Sequence, residues 1–280
     1  MYITPYLIYN HDFGFLHQYD NPDEVKNSRL HYHSDIFELI YFISGNCYYM
    51  VDGNHYRLSA GDAVIARPDE LHMMVHKAPL TKYERVNIEI PGKFFVHNRC
   101  ESLKDIFTHR KAGVGNLILK NQLNERNIQY IINDMKKYCD ENDKNLDIVM
   151  NSKLIELLYN LNKTRVYTNA PSFSHDKIRD IIVYINDNIE SDLSLDTISR
   201  KFYISRGHLC ALFKEQTGMT LNKYISYKRM LKVQELYSSG MKLIDACANA
   251  GFGSYSNFHR MYVKEFGKTP KVDMDEKNKV

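Results

Sequence analysis

The first ninety residues alternate short apolar runs with turn residues. Residues 36–43 and 47–51 are rich in aromatic and β-branched side chains, which favour strands. Asp52-Gly53 is typical of a tight hairpin turn, and residues 63–66 form another short apolar run. Because strands and turns follow one another so closely, this pattern predicts an antiparallel barrel or sandwich.

Apolar residues recur at helical spacing between about residues 124 and 162. They form two stripes on either side of the polar segment 140–145, which predicts a helical hairpin. Two interpretations stay open: both stripes pack on the domain's own barrel, or one also packs on a second subunit and makes a homodimer. The first stripe is Ile128, Ile131, Ile132, Met135, Tyr138 and Cys139, and the second is Leu146, Val149, Met150, Leu154, Leu157, Leu158 and Leu161.

Periodicity is lost over residues 163–175, where Pro171 stands among small polar residues. We therefore expect a linker there, an N-terminal domain at 1–162 and a C-terminal domain at 176–280. The predicted fold class is α+β in two domains. An antiparallel β-barrel with a helical hairpin precedes an all-α domain.

An internal repeat organises the C-terminal domain. Seven helices are predicted between residues 176 and 270, and two helix-turn-helix patterns recur among them with a spacing of 49 residues. Each serine of the repeat is expected to cap the start of a helix, and each glycine to end one. The matched pairs are Ser205 and Ser254, Leu209 and Phe258, Leu212 and Met261, Phe213 and Tyr262, Gly218 and Gly267, and Thr220 and Thr269.

The second helix of each pattern buries one stripe and leaves polar side chains on its first turns. Such a helix suits the DNA major groove, where N-terminal side chains meet base edges. Lys214, Lys223, Arg229 and Arg260 are expected to contact phosphates. The predicted DNA-binding residues are Arg206, His208, Lys214, Tyr255, Ser256, Asn257, His259 and Arg260.

Residues 176–270 closely resemble the DNA-binding domain of the AraC/XylS family of transcription regulators. The resemblance implies two helix-turn-helix subdomains joined by a long helix at about 222–237. It also implies double-stranded operator DNA as a partner, with RNA polymerase as another if the protein is an activator. The residues that carry the resemblance are Tyr184-Ile185-Asn186, Leu193-Ser194-Leu195, Phe202, Ile204-Ser205, Leu209, Phe213-Lys214, Gly218, Tyr224-Ile225, Arg229, Gly251-Phe252, Ser254, Phe258-His259-Arg260 and Gly267-Lys268-Thr269-Pro270.

The chain departs from the family pattern in both units. Gly207, Cys210 and Ala211 stand where the first recognition helix of the family has larger polar residues, and Val263 replaces a usual lysine. Small side chains cannot make bidentate base contacts, so we expect the second unit to carry more of the base readout. Residues 271–280 are expected to form a frayed polar tail.

The N-terminal part is similar to a cupin barrel over about residues 28–90. His31, His33, Glu38 and Gly45 match the spacing of the first cupin motif. The second motif is degenerate: Gly61, Asp62 and Pro68 are present, His72 is the candidate histidine, and Glu70 replaces the usual glycine. Strand alternation places Glu38 on the pocket side, with apolar neighbours.

Three roles for these polar residues stay open. They could line a small-molecule pocket, hold a transition metal as in a cupin enzyme, or be hydrogen-bonded structural residues. In regulators that resemble this chain the cupin usually senses a small molecule, often a sugar, without a metal. We therefore predict a carbohydrate effector at His31, His33, Glu38, Arg67 and His72, with no metal and no cofactor.

Composition adds few constraints. The net charge is +3, and the positive excess lies beyond residue 171, where 17 Lys and Arg face 13 Asp and Glu. No signal peptide or membrane-spanning run is evident, and the five cysteines form no Cys-x-x-Cys pair, so we expect a cytoplasmic protein with reduced thiols.

No motif for nucleophilic catalysis or nucleotide binding is present, so we expect a non-enzyme with no catalytic residues. Two alternatives stay open. One is a metal-dependent cupin enzyme fused to DNA-binding helices, and the other is a regulator whose barrel only dimerises.

Overall fold

The computed structural model describes residues 7–28, 30–33, 35–141, 144–164 and 177–277. These residues group into two compact units, which divide between Ser174 and His175. Most of the predicted linker, from residue 165 onward, lies outside the described residues. Within the described ranges, no helix combines the length and apolar character that crossing a bilayer requires.

The N-terminal unit is built on antiparallel strands. A six-stranded sheet has the order β1-β2-β8-β3-β6-β9, and a three-stranded sheet has the order β5-β4-β7. This arrangement confirms the predicted antiparallel architecture. The strands are β1 (Leu7–Asn10), β2 (Gly14–Asp20), β3 (Ile36–Ser44), β4 (Cys47–Val51), β5 (Asn54–Arg57), β6 (Ala63–Ala66), β7 (His72–His76), β8 (Tyr83–Pro91) and β9 (Leu117–Ile118).

The predicted hairpin turn joins β4 to β5. Asp52 has φ 45° and Gly53 has φ 86°, so two consecutive residues are left-handed, as in a type I′ turn. Val51 pairs with Asn54 directly across this turn. The turn therefore fixes the register of β4, which also pairs with β7 and forms one side of the barrel interior.

Strand β3 is covered on both faces, which is why its sequence reads as a nearly continuous apolar run. Leu39 and Tyr41 pack into a cluster shared with the helices, whereas Ile40 and Phe42 pack into the barrel interior with Tyr49. Glu38 lies on the interior side, as the alternation predicts.

The helices of this unit pack on the outer face of the six-stranded sheet. The predicted hairpin is formed by α4 and α5, and Ile132 and Leu158 are buried in the core of their own unit. These two residues are therefore unavailable to a second subunit. The helices are α1 (Gly92–His97), α2 (Asp105–Thr108), α3 (Lys120–Glu125), α4 (Ile128–Glu141) and α5 (Leu146–Leu161), with a 3-10 turn at Glu101–Lys104.

The C-terminal unit is helical throughout its described part. Six helices end before residue 270 and a seventh begins there, so the seven predicted between residues 176 and 270 extend beyond that range. They are α6 (Lys177–Asp187), α7 (Leu195–Lys201), α8 (Arg206–Thr217), α9 (Leu221–Ser238), α10 (Leu243–Asn249), α11 (Tyr255–Phe266) and α12 (Pro270–Lys277).

The prediction of a frayed tail after residue 270 is wrong for the described residues. Pro270 starts α12, where a proline needs no hydrogen-bond donor. Met274 is buried, and Asp273 accepts a hydrogen bond from the Tyr262 hydroxyl at 2.6 Å. Packing against α11 therefore orders a segment whose composition is mostly polar.

Candidate nucleic-acid interface and barrel cavity

The two predicted recognition helices, α8 and α11, begin and end in the same way. The Ser205 hydroxyl accepts a hydrogen bond from the His208 amide, and the Ser254 hydroxyl accepts one from the Asn257 amide. Each helix has 12 residues and ends at a glycine with φ 71°. These findings confirm the serine caps and glycine stops that the repeat predicts.

Helix α8 turns its polar residues outward. Leu209 and Phe213 are fully buried, whereas Arg206, His208 and Lys214 are exposed. The small residues at 207, 210 and 211 are exposed on the same helix and offer no side chain that can reach two base atoms. Helix α8 therefore offers a DNA groove positive charge and a helical shape, but no side chain at 207, 210 or 211 for bidentate base contacts.

Helix α11 exposes side chains with more specific chemistry. Phe258 and Tyr262 are buried beneath it. Tyr255, Ser256, Asn257 and Arg260 are exposed, and His259 is half-buried. An amide and a guanidinium on the first turns can each form two hydrogen bonds to one base edge.

The long helix α9 contacts both recognition helices. The rings of Phe213 and Tyr224 lie 5.6 Å apart, which joins α8 to α9. At the other end, Gln234 Nε2 donates to the Tyr262 hydroxyl of α11 at 2.6 Å. Buried side chains along α9 thus fix the two recognition helices within one unit.

Arg229 is not placed for the predicted phosphate contact. Its Nε donates to the Ile189 carbonyl at 3.1 Å, and one terminal nitrogen donates to the Ser191 carbonyl at 2.7 Å. The guanidinium also packs on Gly251, where a Cβ would lie 2.9 Å from it. Arg229 therefore holds two turns in place. Lys214, Lys223 and Arg260 are exposed and remain phosphate candidates, although Lys223 also forms an ion pair with Glu265.

The barrel contains a partly open cavity of about 190 Å³. It contains four of the five residues predicted to bind a ligand. Both sheets contribute to its wall. The lining residues are Asp20, Lys26, Ser28, His31, His33, Glu38, Ile40, Tyr49, His72, Met74, His76, Tyr83, Arg85, Asn87 and Glu89.

Three histidines meet in this cavity because of backbone pairing. His31 and His72 are bridge partners, exchanging backbone hydrogen bonds of 3.1 and 2.9 Å. Possible ligand nitrogens of His31, His33 and His72 all lie within 4.8 Å of one another. Residues 41 positions apart in sequence thus form one cluster.

His72 and Glu38 form a buried ionic contact. His72 Nε2 lies 3.2 Å from Glu38 Oε2, at an angle outside hydrogen-bond geometry. His72 Nδ1 contacts the Glu70 carbonyl at 2.8 Å, and the Tyr49 hydroxyl donates to Glu38 at 3.3 Å. Burial is the largest single influence and would raise the pKa of Glu38, but the combined attraction of His72, His33 and His31 lowers it. Burial likewise opposes the charged form of His72, yet Glu38 raises its pKa.

The same cluster fits a transition metal. The Nε2 atoms of His33 and His72 are buried without a hydrogen-bond partner in the described part of the chain. Because His72 Nδ1 is held by a carbonyl, its neutral tautomer directs the Nε2 lone pair into the cavity. Three imidazoles with the Glu38 carboxylate are a donor set that first-row metals accept.

Arg67 lies away from this cluster, contrary to expectation. Strand β6 ends at Ala66, and the guanidinium of Arg67 donates to the carbonyls of Thr108 and Arg110, each at 3.3 Å. The turn after β6 therefore directs this side chain towards the segment after α2. Arg67 is not among the residues that line the cavity.

Sequence reasoning missed the wall formed by β8. Arg85, Asn87 and Glu89 occupy every second position of that strand and all face the cavity. Their alternation with the buried residues Val86 and Ile88 is a signal that identifies a polar inner face. Tyr49 was also missed, because aromatic residues in strands usually belong to the core.

Comparisons with known proteins agree with this division. Residues 198–274 match a family profile described as a helix-turn-helix domain, and residues 18–80 match one described as a cupin domain. The regulatory protein SoxS of Escherichia coli is 31% identical over 99 residues, covering 35% of this chain and 92% of SoxS.

A second relative matches this chain across both units. The HTH-type transcriptional activator RhaS of Citrobacter koseri is 22% identical over 244 residues, covering 86% of this chain and 85% of RhaS. Among solved structures, the DNA-binding domain of AdpA in complex with a target DNA is 16% identical, with a TM-score of 0.35, covering 36% of this chain and 93% of that one.

Proposed function

Because this chain belongs to the AraC/XylS family of transcription regulators, we propose that it activates transcription from an operator bound by α8 and α11. The observation that carries this proposal is the pair of serine-capped helices with exposed polar first turns, both held by α9. RhaS is named a transcriptional activator, which supports activation and hence RNA polymerase as a partner. The proposed place of action is the cytoplasm.

The proposed effector is a monosaccharide in the barrel cavity. At about 190 Å³ the cavity is smaller than the roughly 300–1,000 Å³ of sites for drug-sized ligands, so a single sugar ring suits it better than an oligosaccharide. Glu38, Glu89 and Asn87 offer acceptors and an amide donor to hydroxyl groups. The rings of Tyr49 and Tyr83 offer apolar surface to the face of a sugar.

The proposal is tested by transcription with the purified protein and RNA polymerase. The template carries an operator obtained by binding-site selection, and a panel of monosaccharides is added one at a time. We expect one sugar to change transcript yield at least severalfold and to raise the melting temperature of the protein. Absence of sequence-selective DNA binding would refute the regulator, whereas DNA binding without any sugar response would refute only the effector.

A metal in the barrel is a second candidate, favoured by the buried Nε2 atoms of His33 and His72, which have no hydrogen-bond partner among the described residues. His31, His33, His72 and Glu38 would hold the ion, which would supply Lewis acidity or anchor a ligand oxygen. Metal analysis of the purified protein separates the two candidates. A stoichiometric first-row metal whose removal lowers the melting temperature favours the metal, while a melting temperature indifferent to chelator favours the sugar.

We also propose that the protein is a homodimer formed by the outer faces of α4 and α5. Tyr130, Ile148 and Tyr159 are 72%, 68% and 55% exposed, although each is a large apolar or aromatic residue. Ile148 and Tyr159 lie 11 positions apart in α5, which puts them on one face of that helix. An exposed apolar face of this kind is typical of a protein–protein contact.

A further inference from the structure

Tyr203 occupies the turn between α7 and α8 in an unusual conformation. Its φ is 52°, in the left-handed region that side chains larger than glycine rarely adopt. Its side chain is 94% exposed. Packing within the described unit therefore does not explain why a large aromatic residue stands at a strained position.

The second helix-turn-helix unit has a glycine at the same place. The Tyr203 amide donates to the Arg200 carbonyl, and the Gly251 amide donates in the same way to the Ala248 carbonyl. Gly251 has φ 86°, which costs a glycine nothing. The turn geometry thus favours glycine in both units, and only the first unit carries a tyrosine there.

The sequence around Tyr203 carries a positive charge excess. Between residues 196 and 206 there are three basic side chains, Arg200, Lys201 and Arg206, against the single acid Asp196. Arg206 contacts Asp196, but both are well exposed, so the pair is weak and the guanidinium can turn to another partner. A phosphate is the partner that this charge favours.

Tyr203 also lies just before the N-terminus of α8, which is the end of that helix expected to enter a DNA groove. Ser205 caps α8, so Tyr203 lies two residues before the cap of that helix. In helix-turn-helix proteins the N-terminal residues of the recognition helix meet base edges, and groups around that end contact the backbone. Because α8 offers little for direct base readout, backbone contacts matter more for this unit.

We propose that Tyr203 binds the DNA backbone, its hydroxyl donating a hydrogen bond to a phosphate oxygen beside the groove that α8 enters. This inference rests on the proposed DNA binding. A tyrosine hydroxyl is among the groups that fix register on DNA without reading sequence. The contact would explain a strained, exposed aromatic residue at a position where glycine is structurally easier.

Two variants of the full-length protein test this contact. Tyr203→Gly removes the strain and the side chain, so we expect a higher melting temperature together with weaker DNA binding. Tyr203→Phe keeps the ring and the backbone conformation, so we expect an unchanged melting temperature and DNA affinity lower by about tenfold. The losses should be the same for the selected operator and for a mixed-sequence duplex, because a phosphate contact carries no sequence information.

The control is Lys214→Gln, which should reduce the salt dependence of binding, whereas Tyr203→Phe should leave the salt slope unchanged because tyrosine is neutral. If wild-type protein binds DNA and both Tyr203 variants bind equally well, the inference is wrong. It is also wrong if the variants lose only transcription, since that outcome assigns Tyr203 to RNA polymerase. Failure of wild-type protein to bind DNA would instead overturn the proposed function.

Discussion

Glu38 and Glu89 are directly opposite each other on the neighbouring antiparallel strands β3 and β8, and both line the barrel cavity. Like charges in this relationship are destabilising unless other groups compensate. His72 lies beside Glu38, and Asn87 Nδ2 donates to Glu89 at 3.2 Å. The cavity thus has spare acceptor capacity, which a ligand with several donors can use.

The first prediction concerns the effector. Glu38→Ala should abolish the rise in melting temperature that a cognate monosaccharide causes in wild-type protein. A ligand at a hundred times its dissociation constant stabilises by about 2.7 kcal/mol, so the loss is easily measured by thermal shift. Glu125→Gln, on the exposed surface of α3, is the control and should keep the full response. If Glu38→Ala keeps the response, this carboxylate is not part of the binding site.

The second prediction concerns pH. The folded-state pKa of Glu38 is lowered from 4.5 to about 2. Its contribution to the free energy of unfolding is therefore present above pH 4.5 and is lost as pH falls towards 2. The pKa of His72 is raised above 6.5, so its contribution is present below 6.5 and lost as pH rises through the folded value. The pair should therefore stabilise most between pH 4.5 and 6.5.

Chemical denaturation of wild type and Glu38→Gln across this range checks the window. Removing one partner of a buried pair should cost about 3–5 kcal/mol near the middle of the window, and less at either end. Glu125→Gln should show no such maximum. A wild-type–mutant difference that is constant with pH would mean that His72 stays neutral throughout.

The third prediction concerns base readout. Asn257→Ala or Arg260→Ala should relax specificity in one half-site, by about 1–3 kcal/mol for each lost bidentate contact. Cys210→Ala should change specificity much less, because its side chain offers no comparable contact. Binding-site selection with each variant measures the effect. Stronger base preference beneath α8 than beneath α11 would contradict the proposed asymmetry.

The fourth prediction concerns α12. Asp273→Ala removes the acceptor of the buried Tyr262 hydroxyl, which also accepts from Gln234. We expect a loss of about 1–3 kcal/mol in the stability of the C-terminal unit, measured by denaturant unfolding of the full chain. Lys271→Ala, an exposed position on the same helix, should change stability by less than about 0.5 kcal/mol. Equal effects of the two substitutions would show that the Asp273 contact contributes nothing.

The fifth prediction concerns assembly. Ile148→Glu should shift the protein from dimer to monomer in sedimentation with little change in melting temperature, because Ile148 is exposed on α5. Ile132→Glu should instead lower the melting temperature strongly, because Ile132 is buried within its own unit. A dimer that survives Ile148→Glu would place the interface elsewhere.

Local signals explain which parts could be predicted from sequence. Ser205 and Gly218 mark the ends of α8 because capping and left-handed stops depend on nearby residues alone. Glu38 was identified by its spacing in the first cupin motif, and strand alternation assigned its side chain to the barrel interior. Arg67 was misplaced because the direction of a side chain beyond a turn depends on partners such as Thr108, far away in sequence.

Long-range packing explains the remaining differences. The order of α12 depends on Met274 and Asp273 meeting other helices, which a polar composition conceals. The left-handed conformation of Tyr203 is set by the tight turn between two packed helices, and no tyrosine propensity would indicate it. Contacts between distant segments decide both.

Helix α9 fixes the distance and the rotation between α8 and α11, and therefore the spacing of the half-sites in the operators this protein can use. One residue inserted between Tyr224 and Gln234 would rotate α11 relative to α8 by about 100° and move it by about 1.5 Å. Such a change would take one recognition helix off the face of the duplex that the other occupies. Operators are therefore expected to diverge in base sequence, through substitutions on α8 and α11, while the distance between their two half-sites stays constant.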